Sequence, residues 1–299
     1  MKILVCDKTE AEAIARMRAA GLTVDTNFEI TPEELPNVLP AYDGMVVRSR
    51  TKVRQPLIDV CPNLKIIVRG GVGLDTIDVD HARSKGITVK NTPKASSASV
   101  AELAIGYMFA LARSLYKASA TMKAEKWEKK AFEGDEIGGK TLGLIGIGNI
   151  GKEVAKRATA LGMTVLAYDP YVKEAEYVKL VALDELLAQA DYISLHLPKT
   201  KESANMIDKA QFEKMKTGVR LINCARGGIV NEEALFEALT SGKVAGAAID
   251  VYAVEPPTEW KLAKLDNVIC SPHIGAQTKE AQGRVAAEVA DILIEFAKK

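Results

Sequence analysis

Apolar residues in this chain gather in short runs, each followed by a longer stretch of mixed polarity. The first runs occupy residues 3–6, 22–25, 45–48, 65–68 and 87–90. Each is too short for a stable helix, and the intervening stretches are amphipathic or rich in helix formers, which predicts a parallel sheet with helices on both faces. A second series follows at residues 142–145, 163–168, 192–197, 220–224, 244–250 and 267–270. The chain therefore reads as an α/β protein with two doubly wound parallel sheets.

Between the two series, Val100, Leu103, Ala104, Tyr107, Met108, Leu111 and Leu115 recur at helical spacing, and Ser99 with Glu102 has the form of a capping box. One long helix beginning near Ser99 is predicted. A final helix over residues 278–299 carries Val285, Val289, Ile292, Leu293 and Phe296 on one stripe.

Composition narrows the function classes. The 299 residues suffice for two domains, and 40 basic against 39 acidic residues leave a net charge of +1, so no bulk field points to nucleic acid or a membrane surface. The most apolar run, residues 98–112, contains Glu102 and is shorter than the roughly 20 residues a bilayer span needs. Cys6, Cys61, Cys224 and Cys270 show no Cys-x-x-Cys spacing and sit in or beside apolar segments, as reduced thiols do. No metal site is expected. The chain enters its first strand without a leader-like apolar core, so a cytoplasmic location is expected.

The first candidate chemistry is the turn Gly146-Ile147-Gly148-Asn149-Ile150-Gly151, placed between a predicted strand and a predicted helix. In that context the first glycine permits a tight turn, the second lets backbone approach a pyrophosphate, and the third lets helix and strand pack closely. Asp169 ends the next strand at about the 20-residue spacing of a carboxylate that holds ribose hydroxyls, and it favours NAD over a 2′-phosphorylated cofactor. A dinucleotide site is predicted here.

Only three histidines occur. His81 lies in a polar helical stretch and reads as solvent-facing, whereas His196 ends a strand on the edge where ligands of open α/β sheets lie. His273 follows the last strand in Ser271-Pro272-His273-Ile274-Gly275. Hydride removal from an alcohol requires a base near neutrality, and histidine with an orienting carboxylate suits that role. Glu255 stands on the same predicted edge, and Arg226 leaves another strand into Gly227-Gly228, where a guanidinium suits a bidentate carboxylate clamp.

Taken together, the Gly146 to Gly151 turn with Asp169, Asn223-Cys224-Ala225-Arg226-Gly227, the stretch from Asp250 to Pro256, and the His273 turn resemble the D-isomer-specific 2-hydroxyacid dehydrogenases, in that family's order and over essentially the whole chain. The resemblance implies that Arg226 holds substrate, that Glu255 pairs with His273 and that His273 exchanges the proton. It implies a Rossmann-type NAD domain, residues 93–275, inserted in a flavodoxin-like substrate domain, residues 1–92 and 276–299. Gly146, Gly148, Asn149, Ile150, Gly151, Asp169, His196, Pro198, Cys224, Ala225, Asp250 and Gly275 form the implied cofactor set, with NAD as cofactor. The implied assembly is a homodimer through the NAD domain, and Lys129 or Lys130 is a candidate to reach the partner's site.

Residues 47–53, 69–75 and 139–143 are similar to a branch of the family that acts on a phosphorylated 2-hydroxy acid. Arg48, Ser49, Arg69, Gly71, Val72 and Gly73 form the implied substrate set: Arg48 meets a phosphate, and the turn from Gly71 to Gly73 offers N–H groups to a carboxylate. Arg50 is either a second phosphate contact or a solvated arginine. Thr76 departs from the asparagine of many relatives. Because the chain ends at Lys299, the C-terminal regulatory domains of longer relatives are expected to be absent. Two alternatives stay open: an unphosphorylated substrate such as hydroxypyruvate, glyoxylate or D-lactate, and an NAD(H)-sensing protein of the corepressor kind.

Overall fold

The computed structural model describes residues 1–298. It divides into two compact units, the first made of residues 1–96 and 276–299 and the second of residues 97–275.

In the first unit, strands β1 (Lys2–Val5), β2 (Thr23–Thr26), β3 (Gly44–Val47), β4 (Ile66–Arg69) and β5 (Thr88–Asn91) pair in the order β2-β1-β3-β4-β5. Every pairing is parallel. The order is that of flavodoxin-like sheets. All four residues of β3 are buried, and separate apolar clusters cover the two faces, around Leu4, Met45 and Ile67 on one side and Ile3, Val46 and Ile66 on the other. Burial on both faces explains why these strands read as unbroken apolar runs rather than alternating ones.

The second unit holds seven parallel strands: β6 (Thr141–Ile145), β7 (Thr164–Tyr168), β8 (Lys179–Leu180), β9 (Tyr192–Leu195), β10 (Val219–Asn223), β11 (Val244–Ile249) and β12 (Val268–Cys270). Their order is β12-β11-β10-β9-β6-β7-β8, the Rossmann arrangement extended by one strand. Strand order reverses between β6 and β9, which lie in register with Leu142 opposite Tyr192 and Ile145 opposite Leu195. That reversal is the place where open α/β sheets bind ligands. The glycine turn leaves β6 at this point, and His196 leaves β9 beside it.

Three expectations need correction. The helix Ser97–Ala112 starts before Ser99, which is buried inside it, so no capping box forms. It does not continue through Leu115: Ser114, at φ 47°, breaks the chain direction, and a second helix, Leu115–Lys123, leaves at 65° with none of its residues buried. Leu115 matched the helical period by sequence alone, and its side chain is 52% exposed. His81 is partly covered rather than free in solvent, with Nε2 at 2.9 Å from Asp59 Oδ1.

The last helix spans Lys279–Ala297, capped by the Thr278 side chain on Ala281 N–H, with Val285, Val289 and Leu293 buried against the first sheet's core. The expected end at Lys299 lies outside the described residues. Cys6, Cys61, Cys224 and Cys270 are free thiols. Among the described residues no single helix is long and apolar enough to cross a membrane, and no cluster of His, Cys, Asp and Glu is arranged to hold a metal.

Candidate active site

The glycine turn shows a division of labour. Gly146 sits at φ +94°, and a Cβ there would lie 2.5 Å from the His196 carbonyl oxygen, so only glycine fits between β6 and β9. A Cβ on Gly151 would strike the Gly146 carbonyl at 2.4 Å, which fixes how closely the helix Asn149–Ala160 approaches the turn. Gly148 differs: nothing lies within 4 Å of a Cβ placed on it. It is also the N-cap of that helix and supplies no side-chain cap. Open space beside Gly148 at the N-terminus of a helix suits a pyrophosphate.

Asp169 stands against the same turn. Its Oδ2 accepts from Ile147 N–H at 3.0 Å and its Oδ1 from Tyr171 N–H at 3.0 Å. These bonds orient the carboxylate and leave lone pairs for sugar hydroxyls. The residues present therefore fit a dinucleotide.

His196 is buried, with 9% of its surface exposed; Nε2 lies 2.8 Å from Ser194 Oγ and Nδ1 has no partner among the described residues. Burial pushes its pKa down from 6.5 to about 3, so the ring is neutral at pH 7. An unfolded chain would take up a proton near pH 6.5 while the folded one resists until near pH 3. The stability this neutral ring retains is therefore complete above the unfolded value and is lost on acidification, by up to about 1.4 kcal/mol per pH unit. Urea unfolding of wild type and His196→Gln at pH 7 and pH 5 should show the gap between them narrowing at the lower pH. Parallel losses would contradict this. Pro198, two residues on, is exposed beside Lys199.

A second cluster forms at the ends of β10, β11 and β12. His273 Nδ1 lies 2.8 Å from Glu255 Oε2. With the carboxylate accepting from Nδ1–H, the lone pair resides on Nε2, where a base needs it. Burial alone would raise the Glu255 carboxyl, but hydrogen bonds from His273 and from Tyr252 N–H, with the charges of His273 and Arg226, outweigh it and hold the group below the usual glutamate range. The pair is thus a carboxylate supporting an imidazole.

His273 itself occupies the left-handed region at φ 52°, a conformation that costs a non-glycine residue roughly 1–2 kcal/mol. Asp250 helps to hold it: the carboxylate, 1% exposed, accepts from the N–H groups of Ile274 at 2.8 Å and Gly275 at 2.9 Å, and from Ser271 Oγ. Ser271 Oγ in turn contacts the Tyr107 hydroxyl. Cys224 and Ala225 are buried at the end of β10, where burial, then the nearby Asp250 charge, pushes the Cys224 thiol up and keeps it un-ionised. Arg226 follows directly, and one guanidinium nitrogen donates to Ala225 O at 2.6 Å. Its charge acts on Glu255, so Arg226, Glu255 and His273 share one neighbourhood.

The remaining candidates lie in the first unit. Arg48 is half-buried, which pulls its pKa down, and its guanidinium contacts the Gln282 side chain. The segment that carries Arg48 and Ser49 is tied to Asp7, whose buried carboxylate accepts from Arg48 N–H, from Arg50 Nε at 3.0 Å and from Thr51 Oγ1 at 2.9 Å. Arg50 also donates to Ile30 O and Cys6 O. Its side chain, 49% exposed, is solvated and at the same time ties the segment to Asp7. Arg69 lies along Gly71, where a Cβ would collide with its guanidinium. Gly71 N–H donates to Thr92 Oγ1 and Val72 O accepts from Asn91, so the turn Gly71-Val72-Gly73 is shaped by β5.

Sequence reading missed Tyr107, Tyr252, Ser271 and Gln282 as parts of these clusters. Ser271 and Tyr252 gave a signal only through their places in the His273 turn and in the stretch from Asp250 to Pro256.

A Rossmann sheet with a dinucleotide cradle and a histidine–carboxylate pair at its carboxyl edge defines a nucleotide-dependent oxidoreductase class. Comparison with known proteins carries this further. Residues 105–275 match the family model "D-isomer specific 2-hydroxyacid dehydrogenase, NAD binding domain". The D-3-phosphoglycerate dehydrogenase of Archaeoglobus fulgidus is 50% identical over 303 residues, covering 100% of this chain and 58% of that protein. The hydroxypyruvate reductase of Thermotoga maritima is 52% identical over 294 residues, covering 97% of this chain and 96% of that one. Among solved structures, D-lactate dehydrogenase from Aquifex aeolicus, complexed with NAD and lactic acid, superposes with a TM-score of 0.86 at 32% identity, covering 100% of this chain and 96% of that one. The chain belongs to the D-isomer-specific 2-hydroxyacid dehydrogenase family, and its second unit carries the NAD-binding domain. It spans little more than half the length of several phosphoglycerate dehydrogenases it matches.

Proposed function

We propose that this protein oxidises 3-phospho-D-glycerate to 3-phosphohydroxypyruvate with NAD, the opening reaction of phosphorylated serine biosynthesis. The observation that carries the chemistry is the 2.8 Å contact between His273 Nδ1 and Glu255. NAD, when bound, accepts the hydride from carbon 2. His273 Nε2 takes the hydroxyl proton in the same step, and the Glu255 carboxylate stabilises the imidazolium that results. Arg226 holds the substrate carboxylate and the forming carbonyl. Gly148 and the helix N–H groups behind it hold the pyrophosphate, and Asp169 holds the ribose hydroxyls. The expected pairing of two copies through the NAD domain belongs to the same reading. Leu115, Met122 and Trp127, 52%, 56% and 80% exposed, are apolar surface that such pairing would cover.

A second reading, reduction of hydroxypyruvate, is favoured by the 52% identity to the hydroxypyruvate reductase of Thermotoga maritima. 3-Phosphohydroxypyruvate and hydroxypyruvate share a three-carbon skeleton and differ only in the phosphate. Arg48 is the residue assigned to that phosphate, and its guanidinium lies within a polar contact with Gln282 rather than in an ion pair. Replacing Arg48 by alanine should raise KM for 3-phosphohydroxypyruvate by about tenfold, a charge-assisted hydrogen bond being worth roughly 1.5–3 kcal/mol, and leave KM for hydroxypyruvate nearly unchanged. Equal effects on both would remove the phosphate from Arg48 and favour the second reading.

A further inference from the structure

The three residues assigned to catalysis in the second unit lie on three separate chain segments, and each of those segments touches Tyr252. Its backbone N–H donates to Glu255 Oε1 at 3.1 Å. Its hydroxyl donates to Ser271 O at 3.0 Å, with Ile249 O at 3.3 Å sharing the proton. The same Ser271 carbonyl accepts from His273 N–H at 3.1 Å. Its own carbonyl oxygen lies 1.7 Å from where a Cβ on Gly227 would sit, so the turn that presents Arg226 rests on Tyr252 backbone.

The contacts of Tyr252 complement those of Asp250. Asp250 binds the His273 turn on its C-terminal side, through Ile274 and Gly275 N–H, and at the Ser271 side chain. The Tyr252 hydroxyl binds the turn on its N-terminal side, at the Ser271 carbonyl. A left-handed histidine relaxes unless both flanks are held. The ring of Tyr252 packs on the core beneath β11, so the hydroxyl is delivered from a fixed body. Burial raises its pKa, and the group stays protonated and acts as a donor.

Resting on the dehydrogenase reading, we propose that Tyr252 is a positioning residue. One end, the N–H, sets Glu255; the other, the hydroxyl, sets the His273 turn; and the 2.8 Å contact between them follows from both being fixed to the same residue. Tyr252 itself touches neither reacting atom in this account. Its role is to keep Nδ1–H on the carboxylate, so that Nε2 alone carries the lone pair.

Tyr252→Phe removes the hydroxyl and keeps ring and backbone. The decisive readout is the 15N chemical shifts of the neutral His273 ring, which report how the proton divides between Nδ1 and Nε2. Three histidines make the spectrum simple, and His273→Asn assigns the signal. Wild type should show the Nδ1–H form alone, and Tyr252→Phe a mixture of both, with NADH affinity and Tm little changed. In turnover, Tyr252→Phe should lower kcat by about tenfold, within the losses that small misplacements cause, with KM for NAD unchanged. In a Glu255→Gln background it should have almost no further effect, because both changes break one link. An unchanged Nδ1–H form in Tyr252→Phe, or full additivity of the two substitutions, overturns the proposal. If wild type turns over no 2-oxo acid, the dehydrogenase reading fails, and the 15N shifts still decide whether Tyr252 sets the pair.

Discussion

His273→Asn should lower kcat by roughly 10³-fold while NADH still binds with near wild-type affinity. General-base assistance contributes typically 10²–10⁴-fold, and in this account no other group in the Arg226–Glu255–His273 cluster has a lone pair suited to take the hydroxyl proton. Asparagine suits the test because position 273 lies in the left-handed region, which asparagine tolerates better than most residues. The backbone of the turn, held by Asp250 on Ile274 and Gly275 N–H, then has no reason to move. Fluorescence titration of NADH and steady-state turnover on the same preparation check both halves. Loss of NADH binding together with turnover would show that the turn had collapsed, and near-normal turnover would remove His273 from the chemistry.

The second large effect is expected at Gly148. A methyl group there meets no protein atom within 4 Å, and the backbone, at φ −71°, is one any residue adopts. Gly148→Ala should therefore fold normally, with a stability loss of no more than about 1 kcal/mol from the poorer helix cap. The space it fills is the space assigned to the pyrophosphate. Overpacking of one methylene costs about 1–3 kcal/mol, so NADH affinity should fall about 10- to 100-fold. Gly146→Ala behaves differently, since its Cβ meets the His196 carbonyl and the protein itself is destabilised. If Gly148→Ala binds NADH as wild type does, the cradle is elsewhere.

Much of this arrangement is legible in the sequence itself. Strands buried on both faces leave an unbroken apolar signature, and all eleven runs reappear as β1 to β7 and β9 to β12 with small shifts at their ends, whereas β8, two residues long, leaves no pattern to find. The glycine spacing and the carboxylate after β7 specify local backbone geometry and are readable for that reason. What a period of 3.6 cannot report is where a helix breaks. Leu115 kept the period, and Ser114 turned the chain. Ser99 likewise had the residues of a capping box and lies inside the helix, because the cap depends on where the chain enters.

The candidate site divides in the same way. His273, Glu255, Arg226 and Asp169 were visible because each follows a strand in a turn of distinctive composition. Tyr252 and Tyr107 looked like ordinary core aromatics, and Gln282 like one polar residue on a helix. Their contacts join segments far apart in sequence, Tyr107 to Ser271 and Arg48 to Gln282, which no local pattern encodes. The tie between Asp7, Arg50 and the Arg48 segment was hidden for the same reason.

The central claim is that the His273–Glu255 pair serves NAD-linked oxidoreduction of a three-carbon 2-hydroxy acid. The assay that compares wild type with His273→Asn tests it most directly: NADH absorbance followed in parallel with 3-phosphohydroxypyruvate, hydroxypyruvate, glyoxylate and pyruvate. The account predicts NADH oxidation by wild type, fastest at low concentration with 3-phosphohydroxypyruvate, and its near-complete loss in His273→Asn. NADH bound but consumed with none of the four acids would contradict it and point to a cofactor-sensing protein instead.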